Sequence, residues 1–209
     1  MKNSLSLLIQ TIEELEKQLY DSGIGTDKAA TIHYQAARLN TGLMQLLSLY
    51  RVQLDHLPLN IDEHYMEDVI DELLATNHNH ISTRNIEVIV NQSPDLLWYF
   101  DVDLISVVLN DMLVNATRYG KKKLLINVWE DDNLLHFSVE DDGPGFPQAM
   151  RNMTDKNLAD LDLSAGRTGL GLFFARLIAE AHQVSGNKGK IRLENGGKLG
   201  GGVFTLILP

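Results

Sequence analysis

Two apolar stripes at helical spacing near the N-terminus constrain the fold of this chain more than any other feature. Within residues 5–19 and again within residues 32–50, large apolar side chains recur every three or four positions. This spacing places each set on one face of an α-helix. The segment between them, residues 21–27, contains two glycines and predicts a turn. We therefore expect residues 1–57 to form an antiparallel helical hairpin.

A single hairpin leaves more apolar surface than its two helices can cover on each other. Leu7, Ile9, Met44 and Leu47 lie beside the stripes and add to this surface. Each fully buried large aliphatic side chain contributes about 1.5–3 kcal/mol, which is enough in sum to drive association. We therefore expect a homodimer in which two hairpins form a four-helix bundle. The alternative is that the hairpin packs on the rest of its own chain.

The pattern changes after residue 57, and we place a domain boundary there, with the second domain spanning residues 58–209. Short runs rich in apolar and β-branched residues now alternate with longer helical stretches, which predicts an α+β fold. Helices are expected at residues 62–75, 102–119 and 170–181. Strands are expected at residues 86–90, 97–100, 124–129, 135–139, 191–194 and 203–208. Apolar and polar residues alternate in the fourth strand, so we expect one buried and one wetter sheet face.

Composition excludes several classes of function. The chain has 209 residues, 44% of them apolar, with no cysteine, so disulfides and thiolate chemistry are excluded and a cytoplasmic location is the default. The net charge of −10 argues against nucleic acid as a partner. No stretch resembles a signal peptide or is long enough to span a membrane.

The first candidate motif lies in the helix predicted at residues 102–119. Asp111 and Asn115 are four residues apart, so both side chains lie on one helix face. Carboxylate and amide oxygens one turn apart suit Mg²⁺, which prefers oxygen ligands and keeps several waters. An exposed polar face gives the same pattern, and this segment alone favours that simpler interpretation.

The second motif follows the strand predicted at residues 135–139. Asp141 and Asp142 precede a turn that contains Gly143 and Gly145. Glycines allow the backbone to approach a flat ligand, and a carboxylate can accept a hydrogen bond from an exocyclic amine such as that of adenine. The same residues also make a good ordinary turn, so the motif alone leaves both interpretations open.

The third motif places Gly169 and Gly171 at the start of the helix predicted at residues 170–181. Exposed amides at a helix N-terminus bind phosphate, and glycine keeps side chains out of the way. A Gly-x-Gly pair is weak evidence by itself. The sequence lacks the Gly-Lys-Ser/Thr ending of a Walker loop, and no strand directly precedes it.

In combination and in this order, the three motifs resemble the ATP-binding fold shared by sensor histidine kinases, gyrase and the Hsp90 chaperones. The resemblance covers about residues 60–209, and residues 200–209 look like the closing strand of that fold. It implies a two-layer α/β sandwich that binds ATP and Mg²⁺.

The resemblance also assigns roles to individual positions. Asn115 would hold Mg²⁺, Asp141 would bind adenine, and Tyr119 would stack on it. Residues 147–168 would form a mobile lid. The other nucleotide-binding residues would be Arg118, Gly143, Gly145, Thr168, Gly169, Leu170 and Gly171.

The preceding hairpin selects the histidine kinases within this superfamily, because their dimerisation and phosphoacceptor domain is two helices placed just before the ATP-binding domain. The resemblance therefore implies transfer of the γ-phosphoryl group of ATP to a histidine and then to a response regulator protein. The hairpin departs from the family at the acceptor. Residues 2–5 look like the sequence that follows the phosphoacceptor, so that histidine would fall just before Met1. His33 is the tempting substitute, but it lies near the hairpin turn and is followed by Tyr34 where the family has an acid.

These departures leave three interpretations. The chain is a fragment of a kinase that begins after the acceptor, or a degenerate dimeric module that binds nucleotide or a response regulator and signals by conformation. Alternatively, Asp111, which stands where histidine kinases usually have Asn, is the catalytic general base of an ATPase or serine kinase.

Overall fold

The structure is a computed structural model that describes residues 59–151 and 170–209, apart from the side chains of Ala149 and Leu170. The chain divides into two units between Leu57 and Pro58, and every described residue belongs to the second. The predicted helical hairpin and its dimer interface lie outside the described residues. Within the described part of the chain, no helix is both long and apolar enough to cross a membrane.

A five-stranded mixed sheet forms the centre of this unit. Its strands are β2 (Glu87–Gln92), β4 (Lys123–Asp131), β5 (Leu134–Asp141), β8 (Lys190–Asn195) and β9 (Gly202–Leu208). They lie in the order β2-β4-β5-β9-β8. β2 runs parallel to β4, and the remaining neighbours are antiparallel. Since β4 pairs Leu124 with Asp141, the carboxyl end of β5 lies beside the beginning of β4.

Among the described residues of this unit, five helices and two small two-stranded sheets accompany the central sheet. The helices are α1 (Met66–Thr76), α2 (His78–Thr83), α3 (Val102–Tyr119), α4 (Gln148–Arg151) and α5 (Leu170–Ala181). β1 (Asp62–Tyr65) pairs with β3 (Leu97–Phe100), and β6 (Gln183–Val184) pairs with β7 (Asn187–Lys188).

The core lies between one face of the sheet and the helices. The buried positions of α3 recur every three or four residues, which turns one continuous stripe toward the sheet. Alternate positions of β4, β5 and β9 face that stripe, as the period of a strand requires. The central buried residues are Ile105, Leu109, Met112 and Leu113 of α3 with Leu124, Ile126, Phe137, Val139, Leu206 and Leu208 of the sheet. This arrangement confirms the predicted α+β class with a helical layer on a sheet.

Both ends of α3 are fixed by side chains. At the N-terminus, the Asp101 side chain accepts a hydrogen bond from the Leu104 N–H at 3.0 Å, as an N-cap should. At the C-terminus, the Arg84 guanidinium donates to the carbonyl oxygens of Thr117 and Arg118 at 2.7 and 2.8 Å. A cation at this end also complements the helix dipole. The helix that carries the first motif is therefore held at both termini.

His182 joins the end of α5 to the beginning of α3. The residue is only 4% exposed. Nδ1 lies 2.7 Å from the Ile178 carbonyl oxygen, and Nε2 accepts a hydrogen bond from the Asp101 N–H at 3.1 Å. This pattern defines a neutral ring with its proton on Nδ1, because a second proton on Nε2 would face the Asp101 N–H.

Two expectations from the sequence need correction. The helix predicted at residues 62–75 begins only at Met66, because Asp62–Tyr65 forms strand β1 and pairs with β3. On the outer face of the sheet, the central strand β5 is also less exposed to solvent than its alternating sequence indicates. Glu140 is buried there and accepts hydrogen bonds from the Asn127 side chain at 3.2 Å and from the Lys198 N–H at 2.7 Å. Hydrogen bonding to a neighbouring strand and loop replaces solvent for this carboxylate.

His182 should make the stability of this unit dependent on pH. Burial lowers the pKa of His182, although the hydrogen bond to Ile178 and the nearby Asp101 carboxylate act in the opposite direction. The unfolded chain then binds a proton more readily than the folded one, so stability is complete above about pH 6.5 and falls as the pH decreases below it. Urea unfolding at pH 7.5 and pH 5 should show this loss, and His182→Gln should reduce it.

The matched control is His78→Gln, which removes an exposed histidine of α2. His78→Gln should keep the pH dependence of the parent protein. If His182→Gln and His78→Gln show the same difference in unfolding free energy between the two pH values, His182 is not the group responsible.

Candidate functional site

Asp141 ends β5 in a buried position beside α3. Its residue is 5% exposed, and its Oδ1 accepts a hydrogen bond from the Gly143 N–H at 2.7 Å. Burial raises the pKa of Asp141, while hydrogen bonds from the Gly143 and Gly202 amides act in the opposite direction. A carboxylate offers about four lone-pair positions, so it can accept a further hydrogen bond from a ligand amine.

Glycines surround this carboxylate. A Cβ added at Gly143 would lie 2.7 Å from Asp141 Oδ1 and against the Tyr119 carbonyl oxygen, and one at Gly201 would lie 2.6 Å from the same Oδ1. A Cβ at Gly202 would lie 2.8 Å from Asp141 Oδ2. Each distance is shorter than a Cβ tolerates, so only glycine allows these three backbone segments to close around the carboxylate.

Asp142 has a different role from its neighbour. Its carboxylate accepts hydrogen bonds from the Lys121 N–H at 2.6 Å and from the Lys122 N–H at 3.0 Å. Burial would raise the pKa of Asp142, but hydrogen bonds from the amides of Lys121, Lys122 and Lys123 outweigh it and hold that pKa below the usual range. Asp142 thus links the end of β5 to the segment that follows α3 through hydrogen bonds.

The α3 residues of the first motif lie along one side of this site. Asp111 is half-buried, whereas Asn115, Arg118 and Tyr119 are exposed to solvent. Tyr119 is 43% exposed, and its carbonyl oxygen lies at Gly143, so the last turn of α3 contacts the turn that follows β5. The structure therefore brings together the C-terminal end of α3 and Asp141, which lie on different elements.

Asp111 faces the beginning of α5. A Cβ added at Gly171 would lie 3.7 Å from Asp111 Oδ2, which is ordinary contact distance. Burial raises the pKa of Asp111 to about 6. A carboxyl group of this kind changes its protonation state just below neutral pH and is suited to accept a proton above about pH 6.

Of the other predicted site residues, the structure describes some and leaves the rest outside its described ranges. Thr168 and Gly169 lie outside the described residues, as does most of the predicted lid. Leu170 begins α5, and Gly171 follows it at the Asp111 carboxylate. At Gly145, the Cβ position lies 2.7 Å from the Asn195 side chain on β8.

Three features of the site escaped the sequence analysis. The sequence predicts only a closing strand for Gly201 and Gly202. A run of three glycines at the start of a strand also indicates that another segment approaches the backbone closely there. The hydrogen bonds of Asp142 and those of Asn195 leave no signal in the sequence around either residue. Asp142 binds amides that lie about twenty residues before it, and Asn195 binds the backbone of Phe146 across the fold.

A concave region lies at the end of the sheet that is remote from Asp141. It has a volume of about 640 Å³ and lies between residues 93–97 and residues 130–132. Four carboxylate side chains line it, and it lies at the end of β4 that is remote from Asp141. Its negative charge disfavours the binding of phosphate groups.

Comparison with protein families gives one match over more than half of the chain. The family model for histidine kinase-, DNA gyrase B- and HSP90-like ATPases matches residues 100–209. This range includes α3, the turn after β5 and the N-terminus of α5, which are the three elements that carry the motifs.

Curated relatives include two bacterial sensor proteins. The virulence sensor histidine kinase PhoQ of Salmonella typhimurium is 22% identical over 183 residues, covering 87% of this chain and 38% of PhoQ. The sensor protein SrrB of Staphylococcus aureus is 24% identical over 162 residues, covering 75% of this chain and 28% of SrrB. The chain thus spans well under half the length of these relatives.

Solved structures of histidine kinases share the fold. AdeS of Acinetobacter baumannii has a TM-score of 0.65 and 21% identity, covering 96% of this chain and 94% of that one. The catalytic domain of the histidine kinase ThkA has a TM-score of 0.60 and 25% identity, covering 72% of this chain and 95% of that domain.

The order of the motifs, the convergence of α3, β5 and α5, and the family match agree with one another. The resemblance predicted from the motifs is confirmed: this chain belongs to the family of histidine kinase-, DNA gyrase B- and HSP90-like ATPases.

Proposed function

We propose that this chain is the ATP-binding catalytic and dimerisation portion of a two-component sensor histidine kinase. In this proposal, residues 58–209 bind Mg²⁺-ATP, and residues 1–57 supply the hairpin of a homodimer. The γ-phosphoryl group passes from ATP to a histidine and then to a response regulator protein. The protein acts in the cytoplasm, without nucleic acid and without membrane contact by this chain.

The observation that carries the proposal is the enclosed carboxylate of Asp141. Backbone segments from Gly143, Gly201 and Gly202 close around it without side chains, so a flat base would meet backbone rather than side chains beside the carboxylate. Burial makes its remaining hydrogen-bonding capacity costly to leave unused. The exocyclic amine of adenine is a donor that satisfies it, and the exposed Tyr119 ring at the end of α3 offers a surface for stacking.

The phosphates would extend from the adenine site toward α5. Gly171 at the beginning of that helix provides backbone amides unobstructed by a side chain, and the helix dipole favours negative charge there. Arg118 projects from the exposed side of α3 and would supply a positive charge. Thr168, Gly169 and Leu170 would complete the phosphate contacts, with the lid at residues 147–168 covering them.

Magnesium would bind at Asn115. Among the described residues no group of three or more acidic or histidine side chains forms a metal cage. Mg²⁺ does not require one, since it commonly binds one or two protein oxygens, phosphate oxygens and waters. The exposed amide of Asn115, one helical turn after Asp111, fits that donor set. The ion would neutralise phosphate charge during transfer.

In the transfer, a histidine nitrogen attacks the γ-phosphorus, the bond to the bridging oxygen breaks, and ADP leaves with that oxygen. The chain's residues contribute positioning and charge stabilisation rather than covalent chemistry. Residues 2–5 look like the sequence that follows the acceptor histidine in this family.

Replacing the Asp141 carboxylate should remove adenine recognition. We expect Asp141→Asn to weaken binding of a non-hydrolysable ATP analogue by roughly 10- to 100-fold, which corresponds to the loss of a charge-assisted hydrogen bond. Isothermal titration with Mg²⁺ measures this change. The corresponding inosine nucleotide lacks the exocyclic amine, so it should bind the parent weakly and lose little in the variant.

The matched control is Asp131→Asn, which makes the same change in charge at the remote end of β4. It should bind the ATP analogue as the parent does. A folded parent protein that binds no adenine nucleotide, or that binds adenine and inosine nucleotides equally, contradicts the proposed site.

The position of Asp111 supports a second candidate function, an ATPase or serine kinase with this residue as base. Its Oδ2 lies 3.7 Å from the position of a Cβ at Gly171, near the proposed phosphate site, and its pKa of about 6 suits a base. The third candidate is the degenerate dimeric signalling module, which would bind nucleotide or a response regulator without turnover.

Asp111→Asn separates these candidates. In a histidine kinase, ADP release by this chain, in which the acceptor histidine is not evident, should be slow and should stay within about threefold of the parent in the variant, since transfer to histidine depends mainly on positioning. In an ATPase or serine kinase it should abolish turnover, and the parent rate should rise between pH 5 and pH 7 as Asp111 loses its proton. ADP release measured across that pH range for both proteins gives the answer, with Asp103→Asn in the first turn of α3 as the control.

A further inference from the structure

One side chain of β8 forms hydrogen bonds with the backbone of the turn that follows Asp141. Asn195 is the last residue of β8, and it pairs in register with Gly202 at the start of β9. Its Oδ1 accepts a hydrogen bond from the Phe146 N–H at 2.7 Å, and its Nδ2 donates to the Phe146 carbonyl oxygen at 3.0 Å. One carboxamide therefore binds both polar groups of a single backbone residue.

This pairing has a geometric consequence for the glycine turn. Gly145 adopts a φ of +78°, a conformation that favours glycine. A Cβ at Gly145 would lie 2.7 Å from Asn195 Cγ and 2.8 Å from its Oδ1. The carboxamide thus lies directly against the backbone of Gly145 while it holds Phe146, so the positions of both residues are set by β8.

The Phe146 ring provides a second attachment. It packs partly buried against the core, and a Cβ at Gly202 would lie 2.9 Å from its Cε2. Gly202 also approaches Asp141 Oδ2, and the Gly201 N–H donates to the Asp141 carbonyl oxygen at 3.1 Å. Asn195, Phe146 and the β9 glycines therefore form a continuous set of contacts that reaches the Asp141 carboxylate.

We propose that Asn195 is a positioning residue for the nucleotide site, acting through Phe146 on the Gly143–Gly145 turn beside Asp141. The inference rests on the proposed function for its ligand. The clamp, by which we mean the two hydrogen bonds between the Asn195 carboxamide and the Phe146 backbone, does not depend on that function. A carboxamide suits this task, because it offers one acceptor and one donor in a plane that matches a backbone N–H and C=O. Preorganising the turn lowers the ordering cost when a nucleotide binds.

Two substitutions test the proposal. Asn195→Ala removes both hydrogen bonds, and Asn195→Asp keeps the shape and the acceptor but replaces the donor with a carboxylate oxygen facing the Phe146 carbonyl. We expect both variants to bind the ATP analogue roughly tenfold more weakly than the parent. The control is Asn91→Ala, which removes an exposed carboxamide hydrogen bond on edge strand β2 and should bind like the parent.

Hydrogen exchange provides a readout that needs no nucleotide. In the absence of ligand, the Phe146 amide should exchange at least tenfold faster in Asn195→Ala than in the parent or in Asn91→Ala. Equal exchange rates overturn the clamp. Faster exchange with unchanged affinity for the analogue overturns the positioning role, as does a lower melting temperature with unchanged affinity of the folded variants.

The same pair of measurements separates this inference from the proposed function. If the folded parent binds no adenine nucleotide, the proposed function fails, and the assignment of Asn195 to a nucleotide site fails with it. Faster Phe146 exchange in Asn195→Ala would then still establish the clamp as a feature of the turn. If the parent binds and only the variants are weakened, both proposals are supported.

Discussion

The enclosure of the Asp141 carboxylate by backbone is the constraint on which the site depends. A buried carboxylate is costly unless it is hydrogen-bonded, and amides of Gly143 and Gly202 meet that requirement here. The absence of Cβ atoms at Gly143, Gly201 and Gly202 makes the close approach possible. A side chain at any of these positions would displace the carboxylate or the segment that surrounds it.

The remainder of the fold keeps this enclosure in place. α3 is fixed at its start by Asp101 and at its end by Arg84, so its last turn stays against the turn after β5. Asp142 holds the same two segments together through backbone amides, and its low pKa keeps it ionised in that role. His182 adds a connection between α5 and the start of α3. The three elements that carry the motifs are thus joined by polar side chains as well as by the core.

Much of this unit was predictable from local sequence. The helices at residues 102–119 and 170–181 and the strand at residues 97–100 have the predicted bounds, because strong apolar periodicity and clear flanking residues mark them. The other predicted strands lie within one or two residues of their observed ends. β1 was missed, because residues 62–65 adopt a strand only through pairing with β3 far along the chain.

For the site, composition and spacing identified Asp141 and its glycines as candidates, and the resemblance assigned them to a nucleotide. The partners of Asp142 and Asn195 depend on contacts between distant segments, which no local pattern encodes. The burial of Asp111, which raises its pKa to about 6, is likewise a property of the packed helices rather than of the sequence around it.

The central claim is that adenine nucleotide binds at the enclosed Asp141, and a backbone-amide NMR titration of this chain with an ATP analogue and Mg²⁺ tests it most directly. The account predicts saturable shifts that concentrate at Gly143, Gly201 and Gly202, the last turn of α3 and the beginning of α5. Amides at the remote end of β4, around Asp131, should not shift. Shifts confined to that remote end, or no saturable shifts in a folded protein, would contradict the account.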